Sequence, residues 1–205
     1  MVHKEVICRR SPFFEAACAE RWSQTDTSKD TELPEDDAGT FNTYLQYLYS
    51  GGEGAFASLG DHPSKTALRV SSKPALRVYL LADKLGDLTA ANAVVDELIR
   101  NVDEGTTFPS AKNVSMVFDN TIPSSPIRRL LVDFWMHNTC PTFTEEHVED
   151  MSPTFMCAVF NKLGQLKKDY HYSTLCNVFT QDVIKCNRCR YHQHNDEHPK
   201  YFICT

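Results

Sequence analysis

The chain has 205 residues, of which 41% are hydrophobic, 21 are Lys or Arg and 27 are Asp or Glu, giving a net charge of −6. That length accommodates one domain with a small annex and a true hydrophobic core. The acidic balance argues against a chain-wide basic surface for nucleic acid, and no window approaches the uninterrupted apolar length of a membrane helix.

The opening residues, MVHKEVICRR, lack the apolar run and small-residue cleavage site of a signal peptide. Residues 2–10 read as a short extended or turn piece. Ser11 followed by Pro12 marks a helix start, with Ser as N-cap and Pro at the first helical position, where its missing N–H is not needed. Phe13, Phe14, Ala17 and Cys18 then share one face at helical spacing. Residues 23–31 are polar and aperiodic, a loop, and Glu32 and Leu33 form a brief extended stretch able to join a sheet. Asp36 and Asp37 offer capping oxygens to a helix with Phe41, Tyr44, Leu45 and Leu48 at i, i+3, i+4 and i+7. Gly51 and Gly52 end it. Residues 51–74, rich in Gly, Ser and Pro, form a loop with room for a short strand, long for a compact domain.

Two helices follow. Leu76, Tyr79, Leu80 and Leu85 face the core in the first, Gly86 closes it, and Asp87 caps the second. Ala91, Val94, Val95, Leu98 and Ile99 form one face of that second helix, and the tight junction predicts a helical hairpin. Ser110 caps a short helix bearing Val114, Val117 and Phe118, which ends before Pro123. Ser125–Pro126 starts a helix that buries Ile127, Leu130, Leu131, Phe134 and Trp135. Ser152–Pro153 starts another with Phe155, Met156, Val159, Phe160 and Leu163 on its inner face.

Eight cysteines without a secretory start point to free thiols or metal ligands, not a disulfide scaffold. Cys8, Cys18, Cys140, Cys157 and Cys176 are scattered among apolar neighbours and read as small buried hydrophobes. Cys186, Cys189 and Cys204 travel with His192, His194 and His198 in the last twenty residues.

The segments VHKEVICRRSPFF, LPEDDAGTFNTYLQYLYSG and VYLLADKLGDLTAANAVVDELI resemble the BTB/POZ domain in order, spacing and residue type. The resemblance covers roughly residues 2–103. Residues 104–170, through SSPIRRLLVDFW, are similar to the helical extension of many filamentous-fungal BTB proteins. The resemblance implies an α+β, predominantly helical fold: a BTB/POZ-like helical core over residues 1–103 on a small β-sheet, a helical extension over 104–170, and a Cys/His-rich tail over 171–205. A BTB domain usually begins with a strand pair ahead of the Val-His-Lys segment, and here Met1 directly precedes Val2. The expected domain is therefore N-terminally truncated and its sheet incomplete, with an unpaired edge. Family dimers use that N-terminal segment, which leaves homodimerisation an open expectation.

What the resemblance implies functionally is a non-catalytic protein–protein interaction module, an adaptor. Some family members dock onto a cullin scaffold of a ubiquitin ligase, and others act in transcription or chromatin, so a cullin is an expected partner class. No catalytic residue is assigned. GGEGAFASLG lacks the Lys-Ser/Thr of a phosphate loop, and neither HExxH nor GxSxG occurs. Glu35, Asp36 and Asp37 fit a helix cap with a dipole benefit of about 0.3–1 kcal/mol better than an acid–base pair. Elimination leaves cytoplasm or nucleus as the compartment.

The tail admits three readings. One is a disordered polar tail with incidental Cys and His. Another is a redox-active thiol pair. The third is a structural zinc site built from Cys189, His192, His194 and Cys204, because short Cys-x-x-His spacing lets one turn supply two ligands of a tetrahedron. Cys186 and His198 compete for places in that set. Lys185, Arg188, Arg190 and Lys200 make the tail basic, but Asp182, Asp196 and Glu197 nearly cancel it, so a nucleic-acid contact is not expected.

Overall fold

Short polar side chains write most of the helix starts. The computed structural model describes residues 3–19, 33–50, 72–105, 107–138, 148–169 and 188–194. The first element, α1 (Lys4–Arg10), is a helix where an extended or turn piece is expected from the sequence. Its first turn closes on the His3 carbonyl, which accepts from Val6 at 3.1 Å and Ile7 at 3.3 Å. Glu5 sits in the first turn and Arg9 and Arg10 in the last, the arrangement that complements the helix dipole. Only Ile7 is buried, so no apolar period announces this helix.

Ser11 caps α2 (Pro12–Ala17) as expected, its Oγ accepting from the Phe14 N–H at 3.3 Å. The same hydroxyl donates to the Leu85 carbonyl at 2.7 Å. With six residues, α2 is too short to bury a full face. Phe14 is buried, whereas Phe13 and Ala17, expected on the inner face, are exposed.

Asp37 starts α3 (Ala38–Ser50), accepting from the Thr40 N–H and hydroxyl, each at 3.0 Å. Those bonds, the backbone one foremost, hold its carboxyl below the usual carboxylate range. The helix buries Tyr44 and Tyr47, while Phe41, Leu45 and Leu48 are half-buried. Leu33, expected in a strand, is not in one, and Glu32 lies outside the described residues.

Between α4 (Lys73–Leu85) and α5 (Leu88–Asp103) stand two residues, each with a physical task. Gly86 adopts φ +75°, in the left-handed region, and a Cβ there would meet Pro12 Cδ at 3.2 Å. Only glycine satisfies both conditions without strain. Asp87 caps α5 through Oδ1, which accepts from the Ala90 N–H at 3.0 Å.

The chain divides into two compact units, one of Met1–Lys65 with Pro74–Val94 and one of Thr66–Lys73 with Val95–Thr205, so the division falls within α5. The first unit's core holds Tyr44, Leu76, Val78, Tyr79, Ala82, Leu85, Ala91 and Val94, all fully buried. Of the residues expected on α4's inner face, Leu80 is only half-buried.

The second unit contains α6 (Ala111–Asp119), α7 (Pro126–Asn138), α8 (Pro153–Asp169) and a 3-10 turn at Arg188–Arg190. Ser110 caps α6, accepting from the Asn113 N–H at 3.4 Å. Val114, Val117 and Phe118 of α6 and Ile127, Leu130, Leu131, Phe134 and Trp135 of α7 are buried as the pattern predicts. Aromatic rings join the helices: Phe118 meets Phe155 edge-on at 5.1 Å, and Trp135 meets Phe155 edge-on at 5.7 Å. Ser115 donates to the Asp150 carbonyl at 2.8 Å and accepts from the Ser152 N–H at 2.7 Å, fixing the chain where α8 begins. On α8 the buried stripe is narrower than its apolar pattern: Phe155 and Val159 are inside, but Phe160 is 65% and Leu163 38% exposed.

Among the described residues every regular element is helical and none is a strand. The predominantly helical character is as expected, and no part of the expected sheet lies among these residues. Cys8 and Cys18 are half-buried and Cys157 is exposed, in place of the buried positions expected of them. Cys140 and Cys176 lie outside the described residues.

Candidate functional site

In the second unit, a buried acid organises the surroundings of the C-terminal segment. Asp133 follows Leu130, Leu131 and Val132 on α7 and is only 3% exposed. In a helix interior its neighbouring backbone N–H groups are already spent on the helix, so its oxygens need side-chain donors. The Tyr191 hydroxyl donates to Oδ2 at 2.9 Å, Lys162 Nζ lies 3.2 Å from Oδ1, and Arg190 Nη2 lies 4.0 Å from Oδ2. Burial, then the negative charge of Asp133, pushes the Tyr191 phenol well above its ordinary pKa. Tyr191 is therefore a neutral donor at any ordinary pH.

The residue after it is also inside. His192 is 4% exposed, and its Nε2 lies 3.2 Å from Asp96 Oδ1 on α5. His194 is half-buried, with Nε2 3.2 Å from the Cys189 carbonyl oxygen and 3.5 Å from Cys189 Sγ. Residues 188–194 are thus docked through two buried side chains, which removes the disordered-tail reading for this stretch.

Of the four expected zinc ligands, the structure brings Cys189 and His194 together and turns His192 Nε2 toward Asp96; Cys204 lies outside the described residues, as do Cys186 and His198. Among the described residues no three Cys, His, Asp or Glu side chains converge on one point. His194 Nε2 would have to leave the Cys189 carbonyl to offer its lone pair to a metal. The His192–Asp96 pair has the carboxylate–imidazole geometry that orients ligating histidines in metal sites.

Beside Asp133 the second unit opens into a cleft of about 590 Å³ between α7 and α8. Arg128, Arg129, Lys162 and Arg190 line it, against the single carboxylate of Asp133. Arg128 is fixed by donating from Nε to Thr121 Oγ1 at 2.9 Å and from Nη2 to the carbonyls of Phe118 and Thr121, and it lies over the Phe118 ring at 4.7 Å. Burial draws its pKa below the ordinary guanidinium value.

A second buried acid belongs to the first unit. Asp87, 2% exposed, accepts from the Tyr44 hydroxyl at 3.1 Å and faces Arg10 Nε at 3.4 Å, in addition to capping α5. Arg10 also reaches the Tyr47 hydroxyl at 3.4 Å, which itself donates to the Thr89 carbonyl at 3.4 Å. Burial and then Asp87 push the Tyr44 phenol far above its ordinary pKa. These groups bond to one another, an arrangement that holds helices α1, α3 and α5.

Sequence reasoning anticipated Asp87 as a cap but missed Asp96 and Asp133. A usable signal existed for Asp133, a lone carboxylate inside the buried run Leu130-Leu131-Val132-Asp133-Phe134-Trp135. Comparison with protein-family models, with curated proteins and with solved structures gives no match. The functional reading therefore rests on the chemistry of the residues themselves.

Proposed function

We propose that the chain is a non-catalytic protein–protein interaction module of BTB/POZ type. The observation that carries this reading is the pair Phe160 and Leu163, three positions apart on α8 and left in solvent although the helix buries Phe155 and Val159 beside them. Apolar side chains exposed together on one helix face offer area that a protein partner can bury. The BTB-like spacing of residues 2–103 supports the same function class. Purified full-length chain, immobilised and offered a cell extract, is expected to capture a defined protein that Phe160→Asp with Leu163→Asp releases. Identical capture by both forms would refute the role of α8. The narrower form, an adaptor for a cullin-based ubiquitin ligase, is tested by mixing the chain with a purified cullin N-terminal region. A complex on size exclusion supports it, and separate elution at micromolar concentrations ends it.

The Cys189–His194 approach favours a second reading, a zinc-stabilised tail that binds a further protein or nucleic acid. Elemental analysis of purified protein decides that point. Stoichiometric zinc lost on Cys189→Ser supports the site, and no zinc in either form removes it.

A further inference from the structure

The cleft of the second unit holds more positive charge than its own carboxylate uses. Asp133 is matched by Lys162 at 3.2 Å and by the Tyr191 hydroxyl at 2.9 Å, so Arg190, at 4.0 Å, stands at the outer limit of an ion pair. Arg128 spends Nε and Nη2 on Thr121 and Phe118 and keeps its Nη1 donors unused among the described residues. Arg129 makes no hydrogen bond or ion pair among the described residues, although it lines the same cleft. Arg129 and Arg190 both act electrostatically on the Tyr191 hydroxyl, which brings their charges into one neighbourhood. Phe118, Val132 and Ala158 supply apolar wall beside these three guanidinium groups.

We propose that this cleft binds a phosphomonoester dianion carried on a small apolar or aromatic stem, with Arg129 and Arg190 gripping the phosphate and Arg128 Nη1 supporting it. The choice of anion follows from counting donors. A carboxylate offers two oxygens and one charge, which a single guanidinium fork satisfies. Two guanidinium forks and the remaining Nη1 donors of Arg128 suit a head with three terminal oxygens and nearly two charges, and arginine's planar donors fit that geometry better than an ammonium does. Lys162 is excluded from the grip because Asp133 already holds it. The volume of about 590 Å³ falls in the range of small-molecule sites, and the apolar wall calls for a stem over bare phosphate. This site is independent of the α8 docking pair and stands or falls without it.

Calorimetric titration of the full chain with phenyl phosphate, at about 0.15 M salt, tests the proposal. Saturable one-to-one binding is expected, about tenfold weaker in Arg129→Ala and in Arg190→Ala. Among the described residues Arg129 has no hydrogen-bond or ion-pair partner to lose, so Arg129→Ala is expected to leave the folded state intact, and circular dichroism verifies it. Binding is expected to strengthen as pH rises through about 6, where the phosphate gains its second charge. Phenylacetate is expected to bind at least about tenfold more weakly, and inorganic phosphate more weakly than phenyl phosphate. Absence of saturable binding, or full affinity in both arginine variants, overturns the site. Equal binding of phenylacetate overturns the phosphate assignment in favour of carboxylate or acidic-peptide recognition, and equal binding of inorganic phosphate overturns the stem.

Discussion

Asp87 and Asp133 are both almost fully buried acids that receive a tyrosine hydroxyl and face a cation, yet they are held in different ways. Asp87 stands at the start of α5 and has a backbone N–H for one of its oxygens. Its other partners, Tyr44 and Arg10, come from α3 and α1 of the same unit. Asp133 stands inside α7, where every nearby backbone donor is already used, and so depends wholly on side chains. Two of those, Tyr191 and Arg190, arrive on one seven-residue stretch. The difference teaches that a buried acid at a helix start is partly self-supporting, whereas one in a helix interior requires the rest of the fold to come to it.

The largest effect is expected for Asp87→Ala, about 3–5 kcal/mol in urea denaturation, because it removes a cap and strands Arg10 and Tyr44 together. Asp133→Ala should cost less, about 1–3 kcal/mol, since it removes no helix cap and the Arg190 side chain it leaves is 44% exposed. Equal losses in the two variants would show that a helix-start position gives a buried acid no extra hold. Alkaline pH probes both acids at once. The folded pKa values of Tyr44 and Tyr191 are raised, by burial first and then by the neighbouring carboxylate. Stability tied to them is therefore fully present below the unfolded tyrosine value of about 10. It is lost above that pH, as the unfolded chain releases protons that the folded chain retains. The slope is about 1.4 kcal/mol per pH unit for each tyrosine. Urea titrations between about pH 9 and 11 on wild type, Tyr44→Phe and Tyr191→Phe should show each substitution removing one share of that slope; an unchanged slope in Tyr191→Phe would place that phenol outside the network. At neutral pH Tyr191→Phe should cost about 1 kcal/mol. The smallest effect is expected for Ser110→Ala, about 0.5 kcal/mol, because its capping bond is long at 3.4 Å; thermal unfolding measures it.

The elements that could be read in advance are those whose cause lies within a few residues. Ser11, Asp37, Asp87 and Ser110 accept the backbone N–H groups that their positions imply. The inner faces of α5, α6 and α7 follow from helical spacing alone. Helix α1 escaped because its support is charge placement with a single buried residue, which leaves no period to detect. Helical spacing predicts Phe160 inside because it tells which side chains share a face, and not whether a neighbour covers that face. The docking of Tyr191 and His192 could not be read locally at all. Their seven-residue stretch has no apolar period, and their partners Asp133 and Asp96 are 58 and 96 residues away.

Those separations carry a consequence for the order in which the molecule comes into being. A chain made from its N-terminus presents Asp96 and Asp133 long before Tyr191 and His192 exist to meet them. Closing such long loops loses more chain entropy than any helix turn does, so this step belongs late in folding. Until it happens, Asp96 on α5 and Asp133 on α7 lack the His192 and Tyr191 contacts of the finished fold. A ribosome that stops short of Tyr191 would release a chain that already holds the sequence of α1 to α8, yet whose second unit is still waiting for its clasp.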